Sequence, residues 1–273
     1  LALSEITKDS AIVVAHADDE VLWFSSILGQ VNQIHVVYED YWAQPGIGER
    51  RRGALAEYPH RRIRNLGIEE AGTFGLSDFI PESLNELGLA LSHRATMQSI
   101  RNIVKKSVPF DIGTTRDFHS VATKQRRNFE LTASALRQHL RGCANVFTHN
   151  PWGEYGHEDH VHVFRIMEML RDEMGFRLWV SGYCSNRSAE LAARYAPYFA
   201  GEHRALETNP QLAEQIKELY QRHDCWTWED DWVWPQHDYL AEAPRVTHQD
   251  VRDSLAKPRT GLGFPMHMMP ITV

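Results

Sequence analysis

Two short stretches of this chain hold the side chains that could do chemistry. The first is AIVVAHADDE, residues 11 to 20, which crowds His16, Asp18, Asp19 and Glu20 into five positions. The second is HNPWGEYGHEDHVH, residues 149 to 162, in which His157 and His160 stand three apart and can project from one side of a helical turn. Imidazole nitrogen with carboxylate oxygen suits zinc, or iron or another divalent ion. His16, Asp19 and His160 would give three protein ligands and leave positions open for water, as catalytic sites do and closed structural sites do not. The second carboxylate of the pair could then stay off the metal and act as a base. Asp159 would point away and orient an imidazole from behind. Each stretch also has a plainer reading. Asp18 and Asp19 suit the first turn of a helix, His16 could be a satisfied interior histidine, and a His-rich helix start could be ordinary surface. The two stretches together favour the metal, because one supplies imidazoles that the other lacks.

The elements around them decide whether the two can meet. Ala11 to Ala15 is a short apolar, β-branched run and reads as a buried strand, with a helix over Val21 to Gln30. QIHVVYED reads as a second strand, and YWAQPGIG, residues 41 to 48, as a loop carrying Trp42. Glu49 to Leu66 is helical in composition, broken or kinked at Pro59, with Gly67 as its C-cap and a third strand over Glu70 to Gly75. A helix over His93 to Ser107 precedes FDIGTTRDF, a strand ending in Arg116 and Asp117. Helices over Val121 to Leu140 and His157 to Glu173 flank a strand at Asn145 to Thr148. A strand at Leu178 to Gly182 and helices over Ser188 to Phe199 and Gln211 to His223 follow. The alternation predicts an α/β fold with a Rossmann-like, mostly parallel sheet flanked by helices, in which ligands bind at the carboxyl ends of the strands. Residues 1 to 184 form the expected core, and residues 185 to 273 a helical and Trp-rich extension packed on it in one unit. CWTWEDDWVWP, in that extension, is either an aromatic platform for sugar rings or a hairpin whose tryptophans cover the main domain. Packing is the commoner use of large aromatics and is the preferred reading. Residues 256 to 273 read as an irregular tail.

Composition narrows the function. A chain of 273 residues can bury a large core, and its net charge of -7 provides no basic footprint for nucleic acid. The arginines at 50 to 52 lie among acids and read as a solvated helix face. The three cysteines are far apart without CxxC spacing, so a reducing, cytoplasmic setting is expected. No apolar run reaches the ~20 residues that span a bilayer, and nothing reads as a leader. A dinucleotide enzyme is excluded: no G-x-G-x-x-G follows the first strand, and the acids in its place would repel a pyrophosphate.

The two motifs resemble those of the zinc-dependent N-deacetylases of the LmbE-like or PIG-L family. Its His-Pro/Ala-Asp-Asp-Glu motif is matched by His16 to Glu20, and its His-x-x-His by His157 to His160. The lead-in Gly-Tyr-Gly-His is similar to Glu154, Tyr155, Gly156, His157. The likeness runs over roughly residues 10 to 184. It implies Zn2+ on His16, Asp19 and His160, and Asp18 as general base. It further implies that His157 stabilises the oxyanion or orients the transferring groups, with a phenolic hydrogen bond from Tyr155. Glu20 would serve the helix start or stand behind the ligands. Candidate substrate contacts are Trp42, Arg51, Arg52, Arg116 and Asp117. The implied reaction removes acetyl from an N-acetylated amino sugar or glycoconjugate. The alternatives are an amidase on another sugar-linked amide and a catalytically silent sugar-binding relative. A homo-oligomer is compatible with either. Two departures stand out. The family places small glycines where this chain has Trp23, Phe24, Ser25 and Ser26, and residues 93 to 141 make a longer insertion. Glu154 and Glu158 beside the histidines would favour a cationic or neutral substrate.

Overall fold

A computed structural model describes residues 3–41, 44, 46–92, 118–253 and 265–269. The short helix α1 (Leu3–Thr7) leads into β1 (Ser10–Val14), which is buried along its whole length. Then come α2 (Asp19–Phe24), β2 (Gln33–Tyr38), α3 (Ile47–Ala56) and β3 (Ile63–Ile68). Two-residue strands β4 (Leu84–Asn85) and β5 (Gly88–Leu89) form a small hairpin. The long helix α4 (Phe118–His139), β6 (Asn145–Thr148), α5 (Glu158–Met174) and β7 (Arg177–Ser181) complete the parallel part. After β8 (Tyr183–Ser185) and α6 (Ala189–Tyr195) come β9 (His203–Glu207), α7 (Pro210–Arg222) and β10 (His237–Glu242). The last elements are α8 (His248–Asp253) and β11 (His267–Met269), which pairs in parallel with β8.

The central sheet has seven strands in the order β3-β2-β1-β6-β7-β10-β9. The first five are parallel, and β10 runs antiparallel to both of its neighbours. Strand order reverses beside β1, between β2 and β6, so the carboxyl ends of β1 and β6 border the crevice where such sheets bind ligands. Side chains alternate across β1: Ala11 and Val13 enter one core with Leu136, Phe164 and Met167, while Ile12 and Val14 enter the other with Trp23, Phe24, Ile216 and Tyr220. With both faces covered, the strand reads as an unbroken apolar run.

Several elements differ from the sequence reading, each for a local reason. The helix after the first motif stops at Phe24 instead of running to Gln30, because the Ser26 N–H bonds the Asp238 carboxylate (2.8 Å). The third strand is Ile63–Ile68, within the span read as helix. Pro59 removes a helical donor and biases Tyr58 towards extended backbone, so α3 ends at Ala56. Gly67 does adopt a positive φ of 68°, inside this edge strand and beside a shift in its register with β2 rather than at a helix end. Residues 70 to 75 are not a strand, since Gly72 and Gly75 turn the chain at φ 77° and 75°. The Trp-rich segment forms no hairpin, and β9 and β10, which the sequence reading missed, extend the central sheet. The helix read over His93 to Ser107 and the strand ending in Arg116 and Asp117 lie outside the described residues. Among the described residues no helix is long and apolar enough to cross a membrane.

Candidate metal centre and pocket

The chain leaves β1 directly into His16, and the turn that follows is held by its own side chains. Asp19 Oδ2 accepts from the His16 N–H (2.8 Å), and Asp19 Oδ1 accepts from Trp23 Nε1 (2.9 Å). Asp18 sits at the N-cap of α2 with φ 119° and makes no capping bond, so the plain helix-cap reading fails for it. A non-glycine residue held there stores strain of about 1–3 kcal/mol, a feature that clusters at functional sites. Beside it, the loop after β6 turns through Gly153 and Gly156 into α5. At Gly153 (φ +69°) a Cβ would lie 2.5 Å from the His157 carbonyl oxygen. Gly153→Ala is therefore expected to cost at least about 1–3 kcal/mol of stability, read as a lowered urea midpoint.

The two motifs meet at Asp19. His16 Nδ1 lies 3.3 Å from Asp19 Oδ2, and His160 Nε2 lies 3.3 Å from Asp19 Oδ1. All three donors fall within 4.8 Å of one another. Bonds of 2.0–2.2 Å in a tetrahedron space donors about 3.4 Å apart, so the group fits an ion of that size. His160 Nε2 is buried and makes no hydrogen bond, as a ring nitrogen reserved for a metal would be. The far nitrogen of His160 is hydrogen-bonded to a carboxylate, as is usual for metal-binding histidines, whereas that of His16 faces two carboxylates without a hydrogen bond. His160 Nδ1 donates to Glu154 Oε2 (2.8 Å), while His16 Nε2 lies 3.2 Å from Glu70 Oε1 and 3.6 Å from Asp159 Oδ2. Two other groups have metal-like spacing: His16 with His157 and Asp159, and His149 with Glu154 and His160. The second of these is already committed to hydrogen bonds. His149 Nε2 accepts from the Ala15 N–H (2.8 Å), its Nδ1 donates to Glu154 Oε2 (3.1 Å), and Glu154 also receives Asn150 N and Ser181 Oγ.

Electrostatics follow from this packing. Burial alone would raise Asp19, but the His160 and His149 rings hold it well below the usual carboxylate range. Burial opposes charging His160, yet Asp19 and Glu154 on either side raise it to about 9. Asp18 is pushed up to about 6 by burial and by Asp19, against the pull of Arg51, Thr227 and His16. His157 is lowered well below 6.5 by burial and by the His160 and His16 rings. Its Nδ1 accepts from the Asp159 N–H (3.2 Å), which places the proton of the neutral ring on Nε2. Burial and the nearby Asp19 and Asp18 raise Tyr155 well above 10, so its phenol keeps its proton.

A pocket of about 200 Å3 opens over this cluster, with His16, Asp18, Asp19 and His157 in its lining. Aromatic Tyr41, Phe74, Tyr155 and Trp228 line it too, as do Arg51 and Glu70. Arg51 is buried and donates to the Glu39 carbonyl (3.2 Å), whereas Arg52, one position on, points outward to the Glu39 carboxylate. Asp159 accepts from Thr73 Oγ1 (2.8 Å) behind His16. Glu20 lies below the site, accepting hydrogen bonds from the hydroxyls of Tyr58 (2.9 Å) and Tyr220 (2.7 Å) and from the Asp18 N–H (3.0 Å). Glu158 is likewise turned inward, paired with Arg187 (2.9 Å); neither it nor Glu154 lines the pocket, so the charge preference read from them fails. Trp42, Arg116 and Asp117 lie outside the described residues. Sequence reasoning missed Glu70, His149 and Thr227 as parts of the site; it placed Glu154 beside the histidines but not as their hydrogen-bond partner, and set Trp228 in a stretch for which packing was preferred over a sugar platform. Of these, Glu154 and His149 had a signal, since both lie in the second motif's own run.

Fold and site together define a Rossmann-like α/β protein with a His-Asp-His cluster of metal-binding spacing under a pocket. No protein-family model matches the chain and no curated protein matches it in sequence. Among solved structures it is similar to teicoplanin deacetylase Orf2 in a zinc-inhibited form, at 12% identity over 85% of this chain and 97% of that one, with a TM-score of 0.48. A deacetylase–teicoplanin complex is similar at 12% identity over 85% and 97%, TM-score 0.46. The A40926 pseudoaglycone deacetylase Dbv21 is similar at 12% identity over 86% and 96%, TM-score 0.45.

Proposed function

We propose that this chain is a metal-dependent hydrolase that removes the acetyl group from an N-acetylated amino sugar or a conjugate of one. The observation that carries the reading is the meeting of His16 Nδ1 and His160 Nε2 on the two oxygens of Asp19, with Asp18 beside them in the pocket and outside the trio. Zn2+ held by His16, Asp19 and His160 would supply a Lewis acid that acidifies water and polarises the acetyl carbonyl. Asp18 takes the proton from the attacking water and later delivers it to the leaving amine; its poise near 6 suits that task at neutral pH. His157, through its Nε2–H, and Tyr155, through its hydroxyl, donate to the oxygen that gains charge. Glu154, Glu70 and Asp159 keep the imidazoles oriented. A pocket of about 200 Å3 with aromatic walls suits one acetylated sugar ring. Arg51 and the aromatic walls are the contacts for that ring.

Tyr155→Phe is expected to cost about 1.5–3 kcal/mol of transition-state stabilisation, the value of one hydrogen bond to a charged group, read from kcat/KM. An unchanged kcat/KM would place the hydroxyl elsewhere. The reading as a whole is tested by incubating metal-loaded protein with N-acetylated sugars, nucleotide sugars and glycoconjugates, and measuring free amine and acetate. Metal-loaded protein that releases neither from any of them is not a deacetylase of this class.

A further inference from the structure

The first motif and its helix are gripped from the far end of the chain. Tyr220 Oη donates to Glu20 Oε1 (2.7 Å) and Trp234 Nε1 to the Val21 carbonyl (2.7 Å). Asp238 Oδ2 receives Ser26 N (2.8 Å) and Ser25 Oγ (3.3 Å). Trp228 packs on Trp23 (5.5 Å between ring centroids) and on Tyr155 (4.8 Å). At the centre of this grip, Thr227 donates twice to Asp18 Oδ2, from Oγ1 at 2.5 Å and from N at 3.3 Å.

We infer that Thr227 is a positioning residue for Asp18. It fixes one carboxylate oxygen so that the other, Oδ1, is the atom that exchanges the proton. Asp18 needs such a hold. Its backbone is strained at φ 119°, its side chain makes no cap bond, and Thr227 alone among the described residues hydrogen-bonds its carboxylate. Thr227 is itself held: the Cys225 N–H bonds the Tyr220 carbonyl (3.0 Å), and Lys217 Nζ donates to the Asp230 carbonyl (2.5 Å). The stretch 225 to 234 thus supplies the pocket with both a wall, Trp228, and the hydroxyl that orients Asp18.

The inference rests on Asp18 acting as base, and the test separates the two. Thr227→Val should lower kcat by about 10- to 100-fold, the loss of a charge-assisted hydrogen bond, with KM and metal content unchanged. Thr227→Ser should restore most of the rate. In an Asp18→Asn background, Thr227→Val should cost no further rate, because the two act as one unit. The same cycle read by urea unfolding of the metal-free protein should give a combined change smaller than the sum of the two. Additive stability changes overturn the inference, as does an equal rate loss in both backgrounds or a serine variant as slow as valine. If no substrate is turned over, the proposed reaction fails, and the unfolding cycle still decides whether Thr227 holds Asp18. Thr227→Ala replaces Thr227→Val should the latter not fold.

Discussion

Asp18→Asn is expected to lower kcat by about 10²- to 10⁴-fold, the usual range for a general acid–base group, while the protein keeps its metal. The amide fills the same space, so the pocket stays formed, while the charge-assisted bond from Thr227 is lost with the carboxylate charge. Asparagine also tolerates positive φ better than most residues, and the strained φ of 119° at this position should survive the change. What is lost is the basic oxygen. Asp18 is not one of the three donors that surround the metal position, so elemental analysis should return the parent metal-to-protein ratio. A variant with the parent kcat would remove Asp18 from the reaction and leave Glu70, also in the pocket lining, as the carboxylate to examine.

His160→Ala is expected to leave the protein without stoichiometric metal after dialysis and to abolish turnover. Losing a hydrogen-bonding partner behind a ligand costs about 10- to 100-fold in metal affinity or activity, and losing the ligand itself should cost more. The deletion also strips Glu154 Oε2 of one of its two imidazole partners. Glu154 is fully buried and held at about 2 in spite of that burial by His149 and His160, so a fall in stability should accompany the loss of metal. Full metal content in this variant would point instead to the neighbouring group of His16, His157 and Asp159.

The candidate site residues were legible as a group because strand ends and short spacings are local. An apolar run that breaks into HADDE ends a buried strand at the ligand side of the sheet, and His-x-x-His at a helix start puts two rings on one side. Helix lengths were less legible. Phe24 ends its helix because of Asp238, more than two hundred positions away, and nothing near Ser25 announces that bond. The run of Trp23 to Ser26, where the resembling family has glycines, has the same origin: Trp23 packs against Trp228, and Ser25 Oγ and the Ser26 N–H donate to Asp238. Glu70 and Thr227 were invisible for a related reason. Both lie in irregular segments with no periodicity, and only tertiary packing brings them to His16 and Asp18. The Trp-rich stretch reads as covering in the sequence; Trp234 and Trp232 do pack against the core, while Trp228 also faces the pocket.

The hold of residues 220 to 238 on residues 18 to 26 also sets the order in which this molecule can be completed. Closing a loop of some two hundred residues carries an entropic cost before any contact offsets it, and such distant pairings form late. A chain emerging from the ribosome exposes its imidazoles and acids well before the threonine that orients Asp18. A fragment ending before α7 would therefore own the proposed ion-binding side chains and lack the part that makes them an apparatus.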